Sequence, residues 1–156
     1  MSMKTTGTQL YYVDPYDNTV NEVDCPDSAS ITGGDRNIIE VFCLASDDPE
    51  THSGRKNTTQ ANFMINYDSR KESHIRLKEL FDSGERFSWA FGLSDALDVP
   101  PTADSDGEVI PAASRSWITF EAFVSSYPWD ANANAVYTAN LSLSISGPVY
   151  HIPATA

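Results

Sequence analysis

Apolar and polar residues alternate along most of this chain, and a period of two places each set on one face of a strand. The longest regular stretch sets Tyr137, Ala139, Leu141, Leu143 and Ile145 against Thr138, Asn140, Ser142, Ser144 and Ser146. Gln60 to Tyr67 repeats the pattern, with Ala61, Phe63, Ile65 and Tyr67 on one face and Gln60, Asn62, Met64 and Asn66 on the other. Phe87, Trp89, Phe91 and Leu93 alternate with Ser88, Ala90 and Gly92, an aromatic inner face. In Ser116 to Val124 the pattern points Ile118, Phe120, Ala122 and Val124 inward and Thr119 and Glu121 outward. Near the start, Gln9 to Val13 and Thr19 to Val23 flank the turn residues Asp14, Pro15, Tyr16, Asp17 and Asn18, which predicts a hairpin. Asn37 to Leu44 breaks the alternation. Six of its eight residues are apolar, which predicts a strand covered on both faces at the centre of a sheet.

Only one stretch has helical spacing. Ser69 and Glu72 form an S-x-x-E capping box; Leu77, Leu80 and Phe81 follow at helical intervals; Glu72 can pair with Arg76; and Gly84 supplies a left-handed stop. Two polar stretches interrupt the strands. The segment 45–58, with Asp47, Asp48, Pro49, Glu50, Gly54, Arg55, Lys56 and Asn57, reads as a long loop of the kind that usually serves a function. Ser94 to Ser114, rich in Pro and Asp, reads as a second. The expected fold is mainly β: an antiparallel β-sandwich or barrel-like domain with one flanking α-helix, a single unit over 1–156 with extended arms at 1–8 and 147–156.

Composition narrows what such a domain can do. The 156 residues carry 22 acidic side chains against 10 Lys and Arg, a net charge of -12 that repels phosphate backbones and anionic membranes. The longest apolar run, Val41 to Ala45, falls far short of a membrane helix, and Met1 to Val13 has no apolar signal segment, so a soluble, unexported chain with no membrane partner is expected. Cys25 and Cys43 fit neither a disulfide framework nor a zinc site and are expected to be reduced thiols.

The chain offers no catalytic signature. His52, His74 and His151 are far apart in sequence, and there is no H-E-x-x-H, G-x-S-x-G or P-loop pattern, so neither enzyme activity nor a cofactor is expected. Asp104, Asp106 and Glu108 around Gly107 miss the spacing of an EF-hand and read as a solvated acidic loop. Tyr11, Tyr12, Trp117, Trp129 and Tyr150 have no basic groove beside them in the sequence pattern and are assigned to core and interface packing.

Taken in order, the elements carry a resemblance. The hairpin opening Gly7-Thr8-Gln9-Leu10, the long polar loop, the strand Ala61-Asn62-Phe63-Met64-Ile65, the helix ending Leu80-Phe81-Asp82-Ser83-Gly84, the stretch Trp117-Ile118-Thr119-Phe120-Glu121-Ala122-Phe123-Val124-Ser125-Ser126 and the final strand Asn140 to Ser146 span nearly the whole chain. In this order they resemble the tail tube (major tail) proteins of long, non-contractile-tailed bacteriophages. The resemblance implies a virion structural protein, made in the host cytoplasm, that forms homohexameric rings stacked into a hollow tube. Tape measure and tail-end proteins are its implied partners, and double-stranded DNA passes through the tube without tight binding.

An acidic wall suits a conduit, because each Lys or Arg on a phosphate releases counterions and strengthens holding. Within this reading, Asp47, Asp48, Glu50, Arg55, Lys56 and Asn57 are candidates for contacts between rings or subunits. Glu121, Asn140, Ser142 and Ser144 are candidates for the lumen. The contrasting expectation is a monomeric β-sandwich module that binds glycans or a particle surface, which the exposed aromatics and acidic loops also suit.

Overall fold

The alternating stretches become strands that join edge to edge into one large antiparallel sheet. The computed structural model describes residues 6–23, 26–42, 44–45, 47–96, 98–131 and 136–155. In chain order the elements are β1 (Gln9–Val13), β2 (Val20–Glu22), β3 (Pro26–Gly33), β4 (Arg36–Val41), β5 (Glu50–Lys56), β6 (Thr59–Asn66), α1 (Glu72–Ser83), β7 (Phe87–Gly92), β8 (Thr102–Ala103), β9 (Val109–Ile110), β10 (Trp117–Ser126), β11 (Trp129–Asp130) and β12 (Thr138–Ile152). The large sheet runs β2-β1-β7-β10-β12-β6-β3, with β11 against β12; β4 and β5 form a separate two-stranded sheet, as do β8 and β9.

The large sheet rolls over on itself without closing into a barrel. Two strands separate β6 from β7 along the sheet, yet Phe63 of β6 and Phe91 of β7 have ring centroids 5.9 Å apart. The register of β10 on β12 slips between Thr119 and Glu121 and again between Val124 and Ser126. Such irregularities bend and twist a strand, which is how an antiparallel sheet acquires curvature. The concave face holds the core, where Leu10, Tyr12, Phe63, Ile65, Trp89, Phe120, Leu141 and Leu143 pack with Leu77 and Leu80 of the helix. Fully burying each such side chain is worth about 1.5–3 kcal/mol. The face expected to be inward on each of β6, β10 and β12 is the buried one.

Helix α1 ends as its sequence predicts, with Gly84 at φ 68° and its N-H donating to the Leu80 carbonyl at 3.1 Å. It begins differently. Lys71, not Ser69, is the N-cap, and no side chain caps it. Glu72 is therefore the first helical residue rather than the third, and the capping box cannot close. Nor does Arg76 pair with Glu72. Its guanidinium grips Asp14 in the β1–β2 turn through two bonds, Nε to Oδ2 at 2.7 Å and Nη2 to Oδ1 at 3.0 Å, and reaches Glu79 with Nη1 at 2.6 Å. The bidentate grip ties the helix to the first hairpin. The Arg76 bonds, with the Tyr16 backbone N-H, hold the buried Asp14 carboxyl below its ordinary range against the opposing effect of desolvation.

The segment after β7 holds a small hairpin, β8–β9, inside the expected second loop. Asp104 accepts the backbone N-H groups of Asp106 and Glu108, both at 2.9 Å, so this acidic run caps a turn. The segment lies over part of the sheet's convex face, where Val109 and Ala112 pack on Tyr11, Ala90 and Trp117. Thr119, expected to face outward, is buried on this face between its cross-strand partners Ala90 and Tyr150. Arg115 ends the segment and is fully buried. It donates to the carbonyls of Leu93 (2.8 Å), Gly7 (3.0 Å), Gly92 (3.2 Å) and Val99 (3.3 Å) and to Gln9 Oε1 (2.8 Å), five acceptors on three segments of the chain. A Cβ on Gly92 would fall 2.6 Å from its guanidinium carbon, so this position has no room for a side chain.

Of the expected extended C-terminal arm, residues 147–152 continue β12, where Tyr150, His151 and Ile152 pair with Thr119, Ile118 and Trp117. Cys25, Cys43 and residues 1–5 of the N-terminal arm lie outside the described residues.

Candidate functional site

The β4–β5 hairpin overturns the expectation for Asn37 to Leu44. Instead of a central strand, β4 pairs only with β5, and every residue of β4 is exposed. Ile38 is 72% exposed and Phe42 74%, with Ile39, Val41 and Leu44 also open to solvent. The expected loop at 45–58 is corrected too, because Glu50–Lys56 is the second strand of this hairpin. Local pattern could not reveal this, since apolar density says that a strand is to be covered but not by what.

Along the chain β3, β4, β5 and β6 form one long ribbon with a break at its middle. There Gly33 and Gly34 adopt φ 89° and 76°, Asn57 N-H donates to the Asp35 carbonyl at 2.7 Å, and a Cβ on Gly33 would collide with the Thr58 carbonyl oxygen. The inner half of the ribbon belongs to the rolled sheet, and the outer half is the exposed hairpin. A two-stranded hairpin is marginal alone, and contiguous exposed apolar surface marks a contact site. Of the candidate contact residues, Asp47 and Asp48 lie in the tip, Glu50, Arg55 and Lys56 on β5, and Asn57 at the break, all exposed.

The lumen candidates fall together on the convex face of the large sheet. Ser142 of β12 lies opposite Asn62 of β6 and donates to its Oδ1 at 2.9 Å; Ser144 lies opposite Gln60 and Asn140 opposite Met64. On the other flank of β12, Ser144 faces Phe123 and Ser146 faces Glu121, which in turn faces Ser88 of β7. Glu121 and Asn140 are exposed, while Ser142 and Ser144 are half-buried by their neighbours. Between Gln60 and Glu121 this face presents amides, hydroxyls and one carboxylate, with Met64 and Phe123 as its apolar members. Arg86, exposed, immediately precedes β7, whose first residue Phe87 lies opposite Ala122, and so borders this patch.

Other polar surfaces are already occupied by structure. A cleft of about 540 Å3 between the first hairpin and α1 is lined by Asp14, Asp17, Glu22, Glu72, Arg76 and Glu79, and its guanidinium is the one that grips Asp14. His74 is buried, stacked on Tyr67 at 5.7 Å, with its Nδ1 accepting the Asp68 N-H at 3.0 Å. Among the described residues no group of three His, Cys, Asp or Glu side chains is placed to hold a metal ion. Sequence reasoning missed Arg115 and the Asp14–Arg76 grip, for neither leaves a local signal.

A rolled sheet with an exposed apolar hairpin and open edge strands, β2 and β3, defines a subunit whose surfaces are to be covered by others. The chain belongs to the lambda-like phage tail tube family, whose description matches residues 1–155. It is therefore a structural component of a phage tail tube, and its place is the virion. It is 35% identical over 157 residues to structural protein 3 of Pseudomonas phage PAJU2, covering 97% of this chain and 94% of that protein. Solved structures share the fold at low identity. The tail tube of SPP1 matches at TM-score 0.69 and 8% identity, over 99% of this chain and 81% of that one. The tail of an empty gene transfer agent particle, refined with C6 symmetry, matches at TM-score 0.66 and 11% identity, over 99% of this chain and all of that one.

Proposed function

We propose that the protein forms hexameric rings that stack into a hollow tube through which double-stranded DNA leaves the virion, and that its role is mechanical rather than catalytic. The observation that carries this reading is the exposed apolar hairpin β4–β5, which a monomeric binding module would leave uncovered in water. The six-fold symmetry of the gene transfer agent tail supports the ring size. Edge strands β2 and β3 are the natural seams between neighbours, because closing a ring removes both free edges. The hairpin, with Asp47, Asp48, Glu50, Arg55, Lys56 and Asn57, reaches the adjoining ring. The tape measure and tail-end proteins are the further partners.

The convex patch around Glu121, Asn140, Ser142 and Ser144 lines the lumen in this reading. Its named residues carry no cation, exposed Arg86 at its border being the nearest, and with a net charge of -12 per subunit the wall leaves the polymer free to slide. Negative-stain microscopy and sedimentation of the concentrated protein with its tail-assembly partners should give rings or tubes; a monomer throughout would refute the assembly. For the lumen, Glu121→Lys should leave assembly intact and slow genome ejection, most at low salt where the new attraction is least screened. Unchanged ejection at low ionic strength would move Glu121 to another surface.

A further inference from the structure

The hairpin is electrically polarised along its length. Arg36, Arg55 and Lys56 sit at its stem, with Asp35 as the stem's acid. Glu40, Asp47, Asp48 and Glu50 sit toward the tip. Ile38 and Ile39 lie between the ends, while Val41, the cross-strand partner of Glu50, and Phe42 lie among the tip's acids, all four exposed. Glu50 to Lys56 is six residue steps along a strand, so the two ends stand about 20 Å apart.

The stem sets like charges against each other within one copy. Arg36 is the direct cross-strand partner of Lys56, and like charges facing each other weaken a pair. Its guanidinium donates only to the Gly54 carbonyl, at 3.3 Å, among the described residues. At the tip, the cation nearest Glu50 is His52 at 3.9 Å, charged only when protonated. Outside the hairpin, Arg70, Arg76 and Lys78 each hold a carboxylate of their own copy, while Lys71, Arg86 and Arg115 make no ion pair among the described residues; none to Arg36, Arg55 or Lys56 occurs there either.

From this arrangement we infer that the acidic tip of one hairpin docks on the basic stem of a second copy's hairpin, head to tail, with the apolar middle covered in the same contact. The occupant is a second copy because the complementary charges, at matching exposure, belong to this same element. A head-to-tail contact is heterologous, and between copies in successive rings it repeats along the tube axis and sets the order of stacking. The inference rests on the tube reading above and adds to it which surface receives the hairpin and what chemistry selects it.

The test uses the full chain at the concentration where the wild type assembles. Reversing the stem (Arg55→Glu with Lys56→Glu) or the tip (Asp47→Lys with Glu50→Lys) should raise the concentration at which tubes sediment by about tenfold, the change that follows from about 1.4 kcal/mol in contact free energy. Combining all four substitutions should restore assembly toward the wild-type concentration. These side chains are exposed, so the melting temperature of the unassembled variants should match the wild type. Single reversals that assemble normally, or a fourfold variant that assembles no better than either reversal, would overturn the docking and leave the tube reading standing. A wild type that never assembles would instead remove the tube reading itself.

Discussion

The rolled sheet and the β4–β5 hairpin are built from similar strands and end in opposite environments. On β12, Leu141 and Leu143 are fully buried beneath the sheet's curl, while on β4 Ile38 is 72% exposed. In the first region each apolar face meets another part of the same chain, brought over by the register slips in β10 and by the helix. In the second, the Gly33–Gly34 break carries the ribbon away from the sheet, and among the described residues no segment covers it. Burial in the sheet stabilises the subunit. On the proposed docking, burial of the hairpin stabilises only the assembly, so the two regions should separate cleanly under mutation.

The largest effect is expected inside the subunit. Arg115→Met should destabilise the fold by about 3–5 kcal/mol, because buried carbonyls that share its guanidinium lose their donor together. Thermal unfolding of the unassembled protein measures this, and a loss below about 1 kcal/mol would show that the Arg115 junction is not what fixes the N-terminal strand.

Asp14→Asn should cost about 2 kcal/mol by weakening the grip on Arg76. The same contact has a pH signature. A carboxyl held below its ordinary range contributes stability that is fully present above the unfolded value near 3.9 and is lost as pH falls through the lower folded value. The wild type should therefore lose stability on acidification below about pH 4 more steeply than Asp14→Asn, and parallel acid melts of the two would remove the assignment.

The smallest effect on the subunit, and the sharpest on the assembly, belongs to the hairpin. Ile38→Ser with Ile39→Ser should change subunit stability by no more than about 0.5 kcal/mol, since both side chains already face water. Tube formation by sedimentation should nevertheless be lost. A large drop in subunit stability would mean that the hairpin packs on its own copy.

The alternation of Leu141, Leu143 and Ile145 with serines, the phase of Phe120 and Ala122, and the left-handed stop at Gly84 are local properties. They were legible in the sequence because periodicity and backbone conformation need no distant partner. The acidic charge and the order of elements were legible too, and with them the family. The start of α1 was not, because a capping box is only a possibility until the chain chooses where its first helical turn closes, and here that turn begins at Glu72. Nor were the burial of Arg115 and Thr119, the Asp14–Arg76 grip, or the exposure of Ile38 and Phe42. Each depends on which segment, many residues away, arrives to satisfy or cover a side chain. An apolar strand states a demand for burial, and only the tertiary structure decides whether its own chain meets that demand or leaves it to another copy.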